Sequence, residues 1–130
     1  MKRNEMREQG FFLVFENLFS ANDDMDELIE LYSDNVEPVC DYAKEIFAGV
    51  KSNKESFNEI ISTYSRSWKL SRLPKVTVAI LYVALFEIKC NDNVPNNVAI
   101  NEAVELAKKY AGTDDASFIN GILGSVVREA

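Results

Sequence analysis

Histidine is absent from all 130 residues. The side chain that most often moves protons near neutral pH is therefore missing. Cysteine occurs only twice, as Cys40 and Cys90, and two separated thiols without histidine do not make a zinc site. Both fall within predicted helices and read as small buried hydrophobes. Proline occurs at positions 38, 74 and 95, and there are five glycines, so turns are few, elements are long and helix is the expected class. No Gly-rich phosphate loop, nucleophile elbow or metal-ligand spacing is present. The pair Asp114-Asp115 reads as a helix N-cap rather than as a catalytic dyad. A non-catalytic protein with no cofactor and no metal is expected. Long apolar runs are also missing. The most apolar stretch, Val76 to Ile88, has 13 residues, far short of the roughly 20 that span a bilayer. Phe11 to Phe19 is broken by Glu16 and Asn17 and does not make a secretory signal. A cytoplasmic protein without membrane contact follows.

What is present points to one domain over residues 1–130, with 47% apolar residues and enough length to bury a core. The net charge is −7, which by itself argues against nucleic-acid binding. Its distribution is uneven. Lys2, Arg3 and Arg7 balance Glu5, Glu8 and Glu16 at the N-terminus. Residues 21–45 hold nine acids and one base, Lys44. Residues 46–90 hold seven bases and three acids, with no acid from Ile60 through Phe86. There Arg66, Lys69, Arg72 and Lys75 recur at every third position. The basic strip reads either as a solvated surface or as a face for phosphate or an acidic partner.

Apolar periodicity predicts about seven helices. The first covers about Asn4 to Ala21, with Phe11, Phe12, Val14, Phe15, Leu18 and Phe19 on one broad face. Asn22, Asp23 and Asp24 stop it and cap a short second helix carrying Met25, Leu28, Ile29, Leu31 and Tyr32. Pro38 suits the first turn of a third helix with Val39, Tyr42, Ala43, Ile46, Phe47 and Val50 inward. Asn53 is placed to cap a fourth, with Phe57, Ile60, Ile61 and Tyr64 inward. Trp68, Leu70 and Leu73 lie in a less regular segment, and Leu73 marks a boundary because it precedes proline. The fifth helix, Lys75 to about Cys90, is apolar all round and belongs at the centre of the fold. The sixth runs from about Asn97 to Ala111 and stops at Gly112. The seventh starts at Thr113-Asp114-Asp115 and runs to about Arg128.

Residues 98–124 are the most informative stretch. Asn101, Glu102 and Asn120 interrupt two apolar-periodic runs, where packing alone rarely asks for them. Glu102 and Asn120 read as internal scaffolding, the Asn amide bonding across a helix junction. Val94-Pro95, Val98 through Ala107, and Phe118-Ile119-Asn120-Gly121-Ile122-Leu123 together resemble the C-terminal signature of the NusB family. A second block, Trp68, Arg72, Leu73, Val76, Ala79-Ile80-Leu81 and Ala84-Leu85-Phe86-Glu87-Ile88, is similar to that family's W-x-x-x-R-L-x-x-V and A-I-L-x-x-A-L-[YF]-E-L. Arg7-Glu8 followed by Val14-Phe15 resembles the family's N-terminal R-E-x-x-x-x-x-L-Y.

The resemblance implies an all-α fold of two packed three-helix groups plus an extra helix. It implies a transcription antitermination factor that binds boxA-type single-stranded RNA with the ribosomal protein NusE, within the transcription elongation complex. Carried over by position, RNA would touch Lys2, Arg3, Arg7, Tyr110, Asp114 and Phe118. Cations hold phosphate and aromatic rings stack on splayed bases, so these types suit single-stranded RNA, although Asp114 opposes phosphate. Phe15 and Thr77 would face NusE. The chain also departs from the family pattern. Asn4 and Glu5 replace part of an Arg-rich run, Phe15 replaces the usual tyrosine, Thr77 and Val78 replace an acid and a base, and Tyr82 stands where arginine is frequent. Two other readings stay open. One is a protein-interaction adaptor of the same fold with weak or no RNA binding. The other is a stand-alone helper of an RNA-modifying enzyme.

Overall fold

A computed structural model describes residues 1–20, 24–65 and 69–129. Six α-helices follow in order: α1 Arg3–Phe19, α2 Met25–Asn35, α3 Asp41–Tyr64, α4 Lys75–Cys90, α5 Asn96–Tyr110 and α6 Thr113–Glu129. A single 3-10 turn, Leu70–Arg72, precedes α4. No strand occurs among the described residues, and no helix there is long and apolar enough to cross a membrane. The expected stop residues Asn22 and Asp23, and Arg66 and Trp68 of the basic strip and family block, lie outside the described residues.

Helix α4 is the axis of the molecule, as its all-round apolar character implies. Every residue from Thr77 through Glu87 is buried. Ile80, Leu81 and Leu85 are fully enclosed, and each such side chain contributes about 1.5–3 kcal/mol by leaving water. Around α4 the helices form two groups that share it: α1 and α3 pack on it and on each other, and so do α5 and α6. Helix α2 is the addition, resting on α1.

The count is six rather than seven because the third and fourth expected helices are one. Asn53 does not cap. Its amide donates to the Gly49 carbonyl, 2.8 Å away and one turn back, so it stays within α3. The inward stripe of Tyr42, Ala43, Ile46, Phe47 and Val50 continues through Phe57 and Ile61 at helical spacing, and no glycine or proline interrupts it there. Pro38 also lies outside the helix. Cys40 is the N-cap, its sulfur accepting from the Ala43 N–H at 3.4 Å. The bend before α3 is held by Gln9, a buried residue of α1. Its amide nitrogen donates to the Pro38 carbonyl at 3.0 Å and its oxygen accepts from the Cys40 N–H at 2.7 Å. At the other end of the chain, the Gly112 N–H donates to the Ala107 carbonyl at 2.8 Å, closing α5 before α6 begins.

Candidate nucleic-acid interface

The predicted site residues fall at two ends of α4. Near its start, Arg72, Leu73, Pro74, Thr77, Asp114, Asp115 and Phe118 line an open hollow of about 400 Å³. Asp114 and Asp115 occupy the first turn of α6, where their charge complements the helix dipole. They sit inside the helix rather than at its cap. Phe118, one turn further, is half-buried, with part of its ring against the core and part open to the hollow. Arg72 lines the same hollow and brings a cation to it. The three-residue recurrence in the basic strip is the signal that singles it out.

Thr77 is not a surface residue. It is 0% exposed, and its hydroxyl donates to Asp115 Oδ1 at 3.2 Å, tying α4 to α6. Thr77 is therefore not open to a partner, contrary to the expectation. Phe15, the other residue expected at the partner face, is half-buried and stacks on Phe11 at 5.9 Å between centroids. It meets Phe19 edge-on at 4.9 Å. Phe19 is 63% exposed, and the Lys75 ammonium lies 5.3 Å from its ring centre. Phe19 and Lys75 thus carry an aromatic and a cation to the surface beside Phe15. Phe19 stands one helical turn beyond Phe15, and that spacing could have marked it in the sequence.

The other end holds the N-terminal bases. Lys2 and Arg3 are exposed, with the Arg3 guanidinium 4.8 Å above the Tyr42 ring. Arg7 is different. It is 3% exposed, and its Nε lies 2.7 Å from Glu87 Oε1. Glu87 Oε2 accepts from the Tyr42 hydroxyl, which in turn accepts from the Asn91 amide at 3.1 Å. Glu102, half-buried on α5, lies 3.6 Å from Arg7 Nη1. Burial alone would lower the Arg7 pKa, but the bond and charge of Glu87 raise it. Burial and the bond to Glu87 push the Tyr42 hydroxyl well above its ordinary value. Arg7 is thus committed to the core and not open to phosphate. The reason is positional: residues 7, 11 and 14 fall on one inward stripe of α1.

Tyr110 ends α5 with its ring against Phe11 and Phe12, each 5.4 Å away, and is 37% exposed. Lys109 lies 5.3 Å from that ring and pairs with Glu8 at 2.8 Å, which joins α5 to α1. Burial and Glu8 raise the Tyr110 pKa. The polar residues that interrupt the C-terminal helices divide. Glu102 reaches the internal network, whereas Asn120 is exposed and does not bridge a junction. Gly121 beside it faces open space. The structure therefore gathers Asp114 and Phe118 around one hollow, and places Lys2 and Arg3 elsewhere. From Thr77 to Glu87 the rise along α4 is about 15 Å, which sets the scale of that separation.

A model of the NusB family matches residues 4–128 of the chain. Over 98% of its length the chain is 39% identical to a transcription antitermination protein NusB of Lachnoclostridium phytofermentans, 99% of which is covered. It is 41% identical to the protein of that name from Acetivibrio thermocellus, over 98% of this chain and 90% of that one. Among solved structures, NusB of T. maritima superposes with a TM-score of 0.86 at 31% identity, over 99% of this chain and 92% of that one. A crystal structure of the antitermination factors NusB and NusE in complex with dsRNA has a TM-score of 0.87 at 20% identity, covering 98% of this chain and 97% of that one, a likeness of fold.

Proposed function

The chain belongs to the NusB family, and on that premise we propose that it binds boxA-type single-stranded RNA together with the ribosomal protein NusE to suppress termination during ribosomal RNA transcription. It is an antitermination factor and not an enzyme. Residues 1–130 serve as one RNA-binding domain, working in the cytoplasm within the elongation complex. The observation that carries the reading is the hollow beside α6. There a half-open Phe118 ring shares one hollow with Arg72 and with the first turn of α6. A ring stacks on an unpaired base, and cations and backbone N–H groups attract the adjoining phosphates. Tyr110 offers a second ring, and Lys2 and Arg3 offer phosphate contacts at the other end of α4. Phe15, with Phe19 and Lys75 beside it, forms the NusE face.

One observation favours a weaker RNA contribution from this chain than the family pattern implies. Arg7 is committed to Glu87, which leaves Lys2 and Arg3 as the N-terminal bases open to solvent. RNA binding accordingly depends on NusE. The reading is tested by measuring boxA-like RNA binding, in the presence of NusE, by Phe118→Ala and Tyr110→Ala chains whose helicity is unchanged. Loss of about 1–3 kcal/mol of affinity per ring is expected for stacked bases. Unchanged affinity in both would remove the stacking role.

A further inference from the structure

Helix α2 is the least integrated element of the fold. It is the one described α-helix with no buried residue. Yet Leu28, Leu31 and Tyr32 of α2, with Val36 beyond its end and Leu13 of α1, line a groove of about 310 Å³ together with Glu16 and Asn35. Leu31 is 52% exposed and Val36 65%. Large apolar side chains are left open at the surface of a groove, which is the usual mark of a binding surface. On α1 the groove is lined by Leu13 and Glu16, next to but not including Phe15 and Phe19.

Charge selects the occupant. No lysine or arginine occurs between Arg7 and Lys44, whereas ten acids do. Glu16 lines the groove, and exposed Asp34 stands one turn beyond Leu31 on α2. Phosphate is repelled by such a rim, and a second copy of the chain would bring two acidic rims together. A purely polycationic partner would leave the apolar floor uncovered. We propose that the α1/α2 groove docks a basic amphipathic segment of another protein, with apolar side chains on Leu28, Leu31 and Val36 and its lysines or arginines against Glu16 and Asp34. The mode is a helix laid into a groove, with charge setting its orientation and on-rate. None of the groove residues is among the proposed RNA or NusE contacts, and the proposal does not rest on those contacts.

The test uses the full chain and a labelled amphipathic peptide of leucine and lysine, about four helical turns long. A peptide with glutamate in place of lysine is the control. Saturable binding of the basic peptide is expected, weaker at about 0.5 M salt than at about 0.05 M because surface charge is screened. Amide shifts should centre on Leu31 and Val36. Leu31→Gln, at an exposed helical position, should weaken binding about tenfold or more, as truncating an apolar anchor does. Asp34→Lys should weaken binding and flatten its salt dependence. Neither variant should change binding of boxA-like RNA. Several outcomes would overturn the proposal: no saturable binding, equal binding of the acidic peptide, shifts centred elsewhere, or Leu31→Gln binding like the parent. Self-association that disappears in Leu31→Gln would assign the groove to a second copy instead. Loss of RNA binding in that variant would assign it to RNA.

Discussion

Arg7 and Glu87 lie 80 positions apart in the chain and meet at 2.7 Å, nearly out of reach of water. Their pair joins α1 to the central helix, and Tyr42 brings α3 into the same contact. Arg7→Ala would leave the Glu87 carboxylate buried with one partner fewer. Removing one member of a buried pair costs about 3–5 kcal/mol, because the remaining charge stays desolvated. Denaturant unfolding should show a loss of that size. A loss below about 1 kcal/mol, typical of exposed pairs, would contradict the burial. Arg7→Lys should not restore stability, since a lysine has no fork to reproduce the Nε bond.

The same network sets an alkaline limit. The Tyr42 pKa is raised above its ordinary value of 10 by burial and by Glu87. For a group whose folded pKa is raised, the stabilisation is complete below the unfolded value and is lost as pH climbs above it. Stability should therefore hold up to about pH 10 and fall beyond it, as the unfolded chain ionises Tyr42 and the folded one does not. Tyr42→Phe should shallow that decline. It should also cost about 1–3 kcal/mol near neutrality, because Glu87 loses a donor. Chemical denaturation across pH 8 to about pH 11 measures both effects; an unchanged alkaline slope in Tyr42→Phe would show that Tyr42 does not set it.

Two glycines of the helices should respond in opposite ways. A Cβ on Gly49 would lie 2.2 Å from the Phe86 ring, so Gly49→Ala forces α3 and α4 apart. Overpacking of this kind costs about 1–3 kcal/mol. A Cβ on Gly121 meets nothing within 4 Å, so Gly121→Ala should stabilise α6 by about 0.5–1 kcal/mol. Thermal unfolding of the two variants separates them. A stabilised Gly49→Ala would contradict the close packing of these helices.

Lys2 and Arg3 are exposed, and neither pairs with Glu87 as Arg7 does, although the Arg3 guanidinium lies 4.8 Å above the Tyr42 ring. Lys2→Ala and Arg3→Ala should leave stability within about 0.5 kcal/mol. Each should reduce the salt dependence of RNA binding by about one unit of slope, as loss of a phosphate contact does. An unchanged slope in both variants would place the phosphate contacts elsewhere.

The helical class, the central place of α4 and the bounds of α5 and α6 were legible because their apolar patterns are strong and their ends are marked by Pro74, Pro95 and Gly112. The fusion at Asn53 was not, because an Asn is a good cap and also bonds backward inside a helix. Only the stripe from Val50 to Phe57 decides between the two. Arg7 and Thr77 were assigned to surfaces by position in the family pattern. Their burial comes from partners 80 and 38 residues away, Glu87 and Asp115, which no local spacing reveals. The Arg7 side could have been read from its register with Phe11 and Val14. Asn120 was expected inside because it interrupts an apolar run, yet an interruption is equally what an exposed face produces. Gln9, which holds the Pro38–Cys40 bend, carries no mark in the sequence.

RNA recognition shared with NusE is the claim on which the functional account stands. It is tested most directly by titrating a labelled boxA-like single strand with the full chain, with and without NusE, at two salt concentrations. Weak binding by the chain alone is predicted, with affinity that sharpens when NusE is added and falls as salt rises. Binding near 1 nM by the chain alone at about 0.15 M salt would contradict the dependence on NusE. A stable NusE complex that takes up no RNA would contradict RNA recognition itself and leave a protein adaptor.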